Sequence, residues 1–274
     1  MWFMSPPPPQ RADLFVTIAL KTSPTLVESA LRLADELRAP FVERAELGLP
    51  KLFAARPDAQ TALVVRTGSL LLVDRDGHEF FYHPNMAFLR LGNLLRGQRD
   101  SLLDAAGLRP GDSVLDCTLG YAAEAILCAY AVGETGEIHA VESVPELGVV
   151  VREGLKTVET DRLELNEAMR RVRVVHLGDH LEYLRSCPDR RYDLVYLDPF
   201  FKEPPKGSQP FAPIRFFGDH SPLLPETIAE ATRVARHRVL VKSERWSSLL
   251  EELGLARVDG GRTTKVAYGA IDVD

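Results

Sequence analysis

The chain has 274 residues, of which 45% are hydrophobic and 26% are charged. This composition is typical of a soluble globular protein with one large domain, or with one domain and a smaller appendage. No apolar run approaches the roughly 18 residues that a membrane-spanning helix needs, so the sequence excludes a membrane span and favours the cytoplasm.

The net charge is −6, and residues 1–100 carry 12 basic and 11 acidic side chains, so the excess acid lies further along the chain. A nucleic-acid partner would therefore require a local basic patch. Three cysteines without a CxxC pair favour a reducing compartment and argue against a zinc site.

The N-terminal third of the chain is predicted to contain a tail, a small subdomain and a joining helix. Residues 1–12 include four consecutive prolines and lack the basic start and apolar stretch of a signal peptide, which predicts a disordered tail. Residues 13–84 have the pattern of a strand, a long helix and two further strands, an α+β subdomain that we expect on the substrate side. Residues 85–110 are predicted to form one joining helix, loosened by Gly92 and Gly97.

Residues 111–274 alternate between short β-branched runs and helical stretches. The runs SVLDC, EIHAVE, VRVVHL, YDLVYLD and RVLVKSE are each followed by a helical segment, which is the pattern of a doubly wound parallel sheet. The last run, KVAYGAIDV, follows too soon for a crossover helix and is predicted to return antiparallel. The predicted fold class is therefore α/β, a doubly wound, mostly parallel seven-stranded sheet of Rossmann-like type, preceded by the small α+β appendage.

The junction after the first predicted strand of this sheet has the residues of a ligand-binding turn. It runs from Val114 through Asp116 and Gly120 to Glu124. A carboxylate at the strand end is suited to a cationic amine, and small residues in the turn let backbone amides approach a ligand. A dinucleotide site would instead require GxGxxG and has no use for a carboxylate beneath two phosphates. Taken alone, the segment is equally compatible with an ordinary turn.

Each of the next three parallel strands also ends in an acid. Glu142 ends the second strand, at the place where nucleotide folds hold the two ribose hydroxyls. Asp179 follows the third strand and is suited to accept a hydrogen bond from an adenine amino group, and Asp198 ends the fourth. Any one of these acids is also explained as a helix N-cap. Four acids at the carboxyl edge of an open α/β sheet, where such sheets bind ligands, favour a binding site.

This series of motifs resembles the class I S-adenosylmethionine-dependent methyltransferases. The resemblance rests on D-x-T-x-G-x-A after the first strand, on Glu142 and Asp179, and on Asp198-Pro199-Phe200-Phe201, which is similar to the D-P-P-F/Y signature of amino-group methyltransferases. Within that superfamily, residues 80–274 look closest to the J-type small-subunit ribosomal RNA guanine-N2 methyltransferases and their uncharacterised relatives.

The resemblance implies S-adenosylmethionine as the cofactor. Together with the strand-end pattern, it predicts cofactor contacts at Asp116, Gly120, Ala123, Glu124, Glu142, Ser143, Gly178, Asp179 and Asp198. The implied catalytic residues are Asp198, Pro199, Phe200 and Phe201. Two positions depart from the family pattern, because Ala122 replaces the second glycine of the turn and Phe200 follows Pro199.

An exocyclic base amine is a poor nucleophile because its lone pair is delocalised into the ring. Asp198 and the carbonyl of Pro199 are suited to accept the two amine hydrogens and to align the nitrogen, without a metal. Phe200 or Phe201 would stack on an extruded base, although core packing would explain these rings as well. Candidate phosphate contacts are Arg90, Arg96, Lys202, Lys206, Arg215 and Lys242.

The sequence thus predicts a methyltransferase that acts on an exocyclic base nitrogen of RNA. The expected target is guanine N2 of small-subunit ribosomal RNA, free or in an assembly intermediate. Because the motif at Asp198 suits any planar nitrogen, a DNA base, a transfer RNA, a protein amide or a small molecule remain alternatives. A catalytically silent cofactor-binding or RNA-binding module is a further alternative, against which the intact Asp198 argues. A nicotinamide oxidoreductase is disfavoured by Asp116 and by the missing GxGxxG.

Overall fold

The structure is a computed structural model that describes residues 10–21, 23–200, 212–258 and 265–274. The chain divides into two compact units, Met1–Tyr82 and His83–Asp274. In the described part of the chain, no helix is both long and apolar enough to cross a membrane.

The first unit is a four-stranded sheet with two helices. Its elements are β1 (Leu14–Ile18), α1 (Pro24–Glu36), α2 (Leu49–Ala54), β2 (Thr61–Arg66), β3 (Ser69–Asp74) and β4 (Glu79–Phe80). The strands lie in chain order, with β1 and β2 parallel and the other pairs antiparallel. All five residues of β1 are buried, and Ser23 caps the start of α1, because its hydroxyl accepts a hydrogen bond from the amide of Leu26 at 3.3 Å. The predicted strand, helix and two strands are present, and α2 and β4 are additional.

The segment predicted as one joining helix forms two helices. α3 (Asn85–Leu95) and α4 (Ser101–Ala106) are separated by a turn in which Gly97 has a φ of +79°. The side chain of Asp100 caps α4 by accepting a hydrogen bond from the amide of Leu102 at 3.0 Å. The single-helix prediction is therefore wrong, because a left-handed glycine follows the end of the first helix and a new N-cap begins the second.

The second unit is built on a seven-stranded sheet. Its strands are β5 (Ser113–Asp116), β6 (Glu137–Glu142), β7 (Val172–Leu177), β8 (Tyr192–Leu197), β9 (Ala235–Glu244), β10 (Ala256–Val258) and β11 (Val266–Asp272). They pair in the order β10-β11-β9-β8-β5-β6-β7. The five strands from β9 to β7 are parallel, and β11 runs antiparallel to β9 and to β10. The predicted α/β class and the antiparallel return of the last strand are confirmed, whereas the short β10 was not predicted.

Helices connect the parallel strands and pack on the sheet. They are α5 (Ala123–Val132), α6 (Pro145–Thr157), α7 (Leu163–Arg171), α8 (His180–Ser186), α9 (Ala212–Phe217), α10 (Pro225–Val234) and α11 (Leu249–Glu252). Every residue of β5 and β8 is buried, so these central strands form the core. The chain runs from β5 outward to β6 and β7, then returns to β8 on the other side of β5. This reversal between β5 and β8 is where open parallel sheets bind ligands, beyond the carboxyl ends of the strands.

The close packing of α6 against the sheet limits what position 148 can hold. A methyl group added at Gly148 would lie 2.4 Å from Leu177 Cδ2 and 2.9 Å from Glu142 Cβ, so neighbouring atoms would have to move. We expect Gly148→Ala to lower the free energy of unfolding by about 1–3 kcal/mol, because overpacking outweighs the better helix propensity of alanine. Urea unfolding measures this change.

Gly92→Ala is the matched control, because Gly92 is also a buried helical glycine. The atoms nearest to its added methyl all belong to the guanidinium of Arg162, the far end of a flexible side chain. We expect the free energy of unfolding of this variant to stay within about 1 kcal/mol of the parent. Equal stability of Gly148→Ala and the parent would contradict the packing argument.

Candidate active site

A cavity of about 450 Å³ lies at the carboxyl ends of β5 and β8. Its volume is in the range of small-molecule sites. Among the residues that the structure describes, four carboxylates line it, those of Glu124, Glu142, Asp198 and Asp219. The lysine and arginine side chains in its described wall are Arg90, Arg215 and Lys242. The site therefore brings together acids that lie far apart in the sequence.

The turn between β5 and α5 is held by Thr118. Its amide donates to Asp116 Oδ1 at 2.9 Å, and its hydroxyl accepts a hydrogen bond from the amide of Asp198 at 2.7 Å. Thr118 thus ties the end of β5 to the end of β8. Gly120 and Ala122 both have left-handed backbones, with φ of +50° and +61°. Glycine adopts this conformation readily, whereas it costs alanine about 1–2 kcal/mol, so the turn accepts the departure at Ala122 with some strain.

Asp116 lies beneath this turn, outside the cavity wall. It is 1% exposed, and its Oδ2 has no hydrogen-bond partner in the described part of the chain. Burial raises the pKa of Asp116 to about 7, and the neighbouring carboxylates of Glu124 and Asp198 add to the rise. The predicted contact of Asp116 with a cofactor amine stays a prediction.

Glu142 lines the cavity at the end of β6. Its Oε2 accepts a hydrogen bond from the amide of Gly120, and its Oε1 accepts one from the amide of Val144, both at 3.1 Å. Ser143, also in the wall, donates a weaker bond to Oε1 at 3.4 Å. The residue is 6% exposed, and burial raises the pKa of Glu142 to about 7. A ligand that donates hydrogen bonds here would favour the ionised carboxylate.

The acid after the third parallel strand is used as a helix cap. Asp179 Oδ1 accepts a hydrogen bond from the amide of Glu182 at 2.9 Å, at the start of α8. Gly178 supports the end of β6, because its amide donates to the carbonyl of Glu142 at 2.8 Å. The next residue along the chain, His180, lines the cavity, whereas Gly178 and Asp179 are not in its wall. The cofactor contacts predicted for Gly178 and Asp179 stay predictions.

Asp198, at the end of β8, is paired with Lys242 on β9. Lys242 Nζ lies 2.6 Å from Asp198 Oδ2 and 3.2 Å from Glu124 Oε1. Glu124 also accepts a hydrogen bond from Arg90 at 2.8 Å. Burial alone would raise the pKa of Glu124, but the two cations outweigh burial and lower it to about 2. For Asp198, burial prevails and raises the pKa, and Lys242 offsets part of the rise.

These ion pairs correct the predicted phosphate contacts. Arg90 and Lys242 are largely buried and bound to carboxylates, so neither presents a free cation to a phosphate. Arg96 is exposed, and Arg215 lines the cavity. Lys202 and Lys206 lie outside the described residues.

Pro199 and Phe200 line the cavity just beyond β8. The ring of Phe200 lies on His220, with centroids 4.7 Å apart and planes tilted by 32°. Gly218 leaves room for this ring, since a methyl group there would lie 2.3 Å from it. Phe200 therefore both packs against its neighbours and contributes to the cavity wall. Phe201, the other predicted stacking residue, lies outside the described residues.

Some wall residues were not singled out from the sequence. Thr118 sits inside the turn motif, and its hydroxyl bond to the β8 strand end depends on a residue far along the chain. Tyr121 and Tyr268 also line the cavity, and burial raises the pKa of each phenol to about 12. Lys242, in contrast, is singled out by the sequence, but as a phosphate contact and not as the partner of Asp198.

The family of this chain follows from its sequence. A family model of SAM-dependent methyltransferases matches residues 49–265. The protein belongs to this family, and S-adenosylmethionine is its cofactor. The resemblance inferred from the motifs is confirmed.

Similar proteins cover most of the chain. It is 37% identical to the uncharacterised protein YpiP of Bacillus subtilis (strain 168), over 93% of this chain and 98% of that relative. It is 30% identical to ribosomal RNA small subunit methyltransferase J of Magnetococcus marinus, over 70% of this chain and 78% of that relative. The protein of the same name from Pseudomonas syringae pv. tomato is 30% identical, over 54% of this chain and 55% of its own length. The SAM-dependent methyltransferase NGO1261 from Neisseria gonorrhoeae has a similar fold, with a TM-score of 0.55 and 16% identity, over 94% of this chain and 95% of its own.

The cavity wall fits the cofactor of this family. The buried carboxylate of Glu142 accepts hydrogen bonds from two amides and the hydroxyl of Ser143, but from no cation in the described part of the chain, and a ribose diol supplies two further donors. At Gly120, an added methyl group would contact Ile214 Cδ1 at 3.4 Å, so glycine keeps the space between the turn and α9 open. The small Ala123 and Ser143 also line the wall. The carboxylate of Glu142, as a hydrogen-bond acceptor, and the space beside Gly120 therefore both suit a nucleoside ligand.

The buried carboxyl of Asp116 makes stability depend on pH. Because its pKa in the folded chain is about 7, above the ordinary value, its stabilising contribution is complete below the unfolded pKa and is lost as the pH rises through 7. We expect the free energy of unfolding of the ligand-free parent to fall between pH 5 and pH 8 by about 2 kcal/mol more than that of Asp116→Asn. The asparagine keeps an oxygen for the Thr118 amide and does not ionise. Urea unfolding at the two pH values measures this difference, and an identical pH dependence in both chains would contradict it.

Proposed function

We propose that this protein transfers the methyl group of S-adenosylmethionine to an exocyclic nitrogen of an RNA base, and that the acceptor is N2 of guanine in small-subunit ribosomal RNA. The observation that carries the proposal is the placement of Asp198 and Pro199 in the wall of the cavity that also contains Glu142 and the β5–α5 turn. The two relatives named ribosomal RNA small subunit methyltransferase J support RNA as the acceptor.

The cofactor would be held at the carboxyl ends of β5 and β6. Glu142 would accept hydrogen bonds from the ribose hydroxyls, and Gly120 would let the ligand approach the backbone of the turn. A cationic amine bound near Asp116 would favour the ionised form of its carboxyl, which lies beneath the turn. His180 lines the cavity after β7, so it is better placed than Asp179 to contact the adenine.

When bound, the cofactor supplies a methyl group attached to a positively charged sulfur. Asp198 Oδ2 is held by Lys242, so Asp198 Oδ1 would accept one hydrogen of the acceptor amine and the Pro199 carbonyl the other. Two acceptors held at a strand end restrict the amine to one orientation and localise its lone pair for attack. The ionised Asp198 is also the base that takes the proton which the nitrogen loses on methylation. Phe200, in the same wall, offers a ring face to the base.

Mass spectrometry of nucleosides tests the acceptor. Ribosomal RNA from a deletion strain should contain less N2-methylguanosine than RNA from the parent strain, and the purified protein with S-adenosylmethionine should restore it. A strain complemented with the Asp198→Ala chain is the control and should stay deficient. Unchanged ribosomal RNA together with the loss of a methylated nitrogen elsewhere would move the acceptor to another planar nitrogen and overturn the proposal.

Asp198 is expected to act mainly on the rate. We expect Asp198→Ala to lower the single-turnover methylation rate at saturating cofactor by about a hundredfold to a thousandfold, as is usual for the loss of one preorganised polar group, and to change RNA affinity far less. Asp198→Asn, which keeps the shape and one carbonyl oxygen, should fall between Asp198→Ala and the parent. Cofactor affinity is measured in parallel by calorimetry. A rate near the parental one in Asp198→Ala would remove Asp198 from the chemistry.

A further inference from the structure

A row of five side chains with alternating charge runs from α4 to the end of β8. Its members, in order, are Asp100, Arg90, Glu124, Lys242 and Asp198, and we call it the charge row. Arg90 binds Asp100 through two hydrogen bonds of 2.9 Å and Glu124 through one of 2.8 Å. Lys242 then bridges Glu124, at 3.2 Å, and Asp198, at 2.6 Å. Every contact in the row joins a cation to an anion.

The charge row is anchored at one end and reaches the cavity at the other. Asp100 is also the N-cap of α4, where its Oδ1 accepts a hydrogen bond from the amide of Leu102 at 3.0 Å, and its side chain is 10% exposed. The other four members line the cavity. Asp198 is therefore the end of the row at which a ligand can be contacted.

Lys242 uses only one of the two oxygens of Asp198. Its Nζ contacts Oδ2, whereas Oδ1 receives no hydrogen bond from the residues that the structure describes. The side chains of Lys242 and Asp198 are 17% and 22% exposed. One oxygen is thus fixed by the ammonium group, and the other is left as an acceptor.

We propose that Lys242 is a positioning residue for methyl transfer, which fixes the carboxylate of Asp198 through Oδ2 and keeps it ionised so that Oδ1 accepts the hydrogen of the acceptor amine. This inference rests on the proposed function, which gives Asp198 that task. Glu124 holds Lys242 in place, and Arg90 holds Glu124.

The surroundings of Asp198 would favour its neutral form if Lys242 were absent. In the part of the chain that the structure describes, the titratable groups that face Asp198 or Lys242 are Asp116 on β5, Glu124 on α5, Arg90 on α3, Tyr196 on β8 and Tyr268 on β11. Burial opposes the charge of Asp198, and the carboxylates of Glu124 and Asp116 repel it. Arg90, the other cation of the row, contacts Glu124 instead. A protonated Asp198 would carry a hydroxyl donor and be a weaker acceptor for the amine.

The pH dependence of the transfer rate tests this role. In Lys242→Met, single-turnover methylation of small-subunit RNA at saturating cofactor should fall about tenfold or more at pH 7 and recover toward the parental rate near pH 9, as Asp198 loses its proton. Glu124→Gln removes a repelling carboxylate and keeps an oxygen that can accept the hydrogen bond from Lys242, so the methylation rate of this variant should not require a higher pH than the rate of the parent. A Lys242→Met rate lowered by the same factor at every pH would overturn the proposal.

A double-variant cycle keeps the test decisive if Lys242→Met folds poorly. The chain with both Lys242→Met and Asp198→Asn has no unpaired carboxylate at this position. If Lys242 acts through Asp198, adding Lys242→Met to Asp198→Asn should change the rate by about twofold or less, because the two residues then share one effect. A further tenfold loss in the double variant would show a separate role and overturn the inference.

Infrared difference spectra test the ionisation of Asp198 without any acceptor. At pH 7, Lys242→Met minus the double variant should show the band of a neutral carboxyl, whereas the parent minus Asp198→Asn should show an ionised carboxylate. If the parent methylates no RNA and these bands are seen, the proposed function fails and the control of Asp198 by Lys242 stands. An ionised Asp198 in Lys242→Met would overturn the inference even where RNA is methylated.

Discussion

A carboxylate that leaves water loses its hydration and regains stability only from hydrogen bonds or from cations. The carboxyl edge of the parallel sheet in this protein places several carboxylates within one site, and it stabilises them in two ways. Asp116 and Glu142 accept hydrogen bonds mainly from backbone amides, and burial raises the pKa of both to about 7. Glu124 and Asp198 instead contact the ammonium group of Lys242. The first pair gains from a ligand that brings donors or positive charge, and the second pair is stabilised before any ligand arrives.

Under the proposed function, this difference assigns the cofactor to the part of the cavity around Glu142 and the methyl transfer to the part around Asp198. Among the described residues, Glu142 accepts hydrogen bonds from two backbone amides and from the hydroxyl of Ser143, and from no cationic side chain. A cationic cofactor with a ribose diol therefore supplies what this end lacks. At Asp198 the ion pair is already formed, so an acceptor amine would meet a group whose position and charge are fixed in advance. Catalytic groups that need no reorganisation during the reaction are the ones that lower a barrier most.

The sequence predicted best those features of the sheet that depend on local pattern. Short buried runs alternating with helices predicted the sheet, because strands such as β5 and β8 are buried on both faces. Parallel strands end at one edge, so the positions of Glu142 and Asp198 in the cavity wall could be predicted without coordinates. The break between α3 and α4 is not predicted by this pattern, because a glycine within a helical segment indicates only a weaker helix, whereas Gly97 has a left-handed backbone just after the end of α3.

Contacts between distant residues could not be predicted in the same way. Lys242 follows an apolar run near the end of β9, yet the fold places it against Asp198, 44 residues earlier. The sequence likewise predicts a phosphate contact for Arg90, whereas in the structure Arg90 pairs with Glu124, 34 residues later. Neither partner can be read from spacing, because each pair joins separate elements that meet only when the sheet has formed.

Under the proposed function, the ion pairs of Arg90 and Lys242 also limit how the protein can bind an RNA acceptor. Phosphate contacts provide much of the affinity of RNA-binding proteins, and they need cations that are free to displace counterions. Arg90 and Lys242 form ion pairs with carboxylates. Of the lysine and arginine side chains in the described part of the cavity wall, Arg215 is the one outside the charge row. A wall with four carboxylates disfavours a phosphate but accepts the neutral edge of a base, whose amine offers hydrogens to Asp198. Affinity for the RNA backbone would then come from surfaces away from the cavity, and the cavity itself would select the base by its amine.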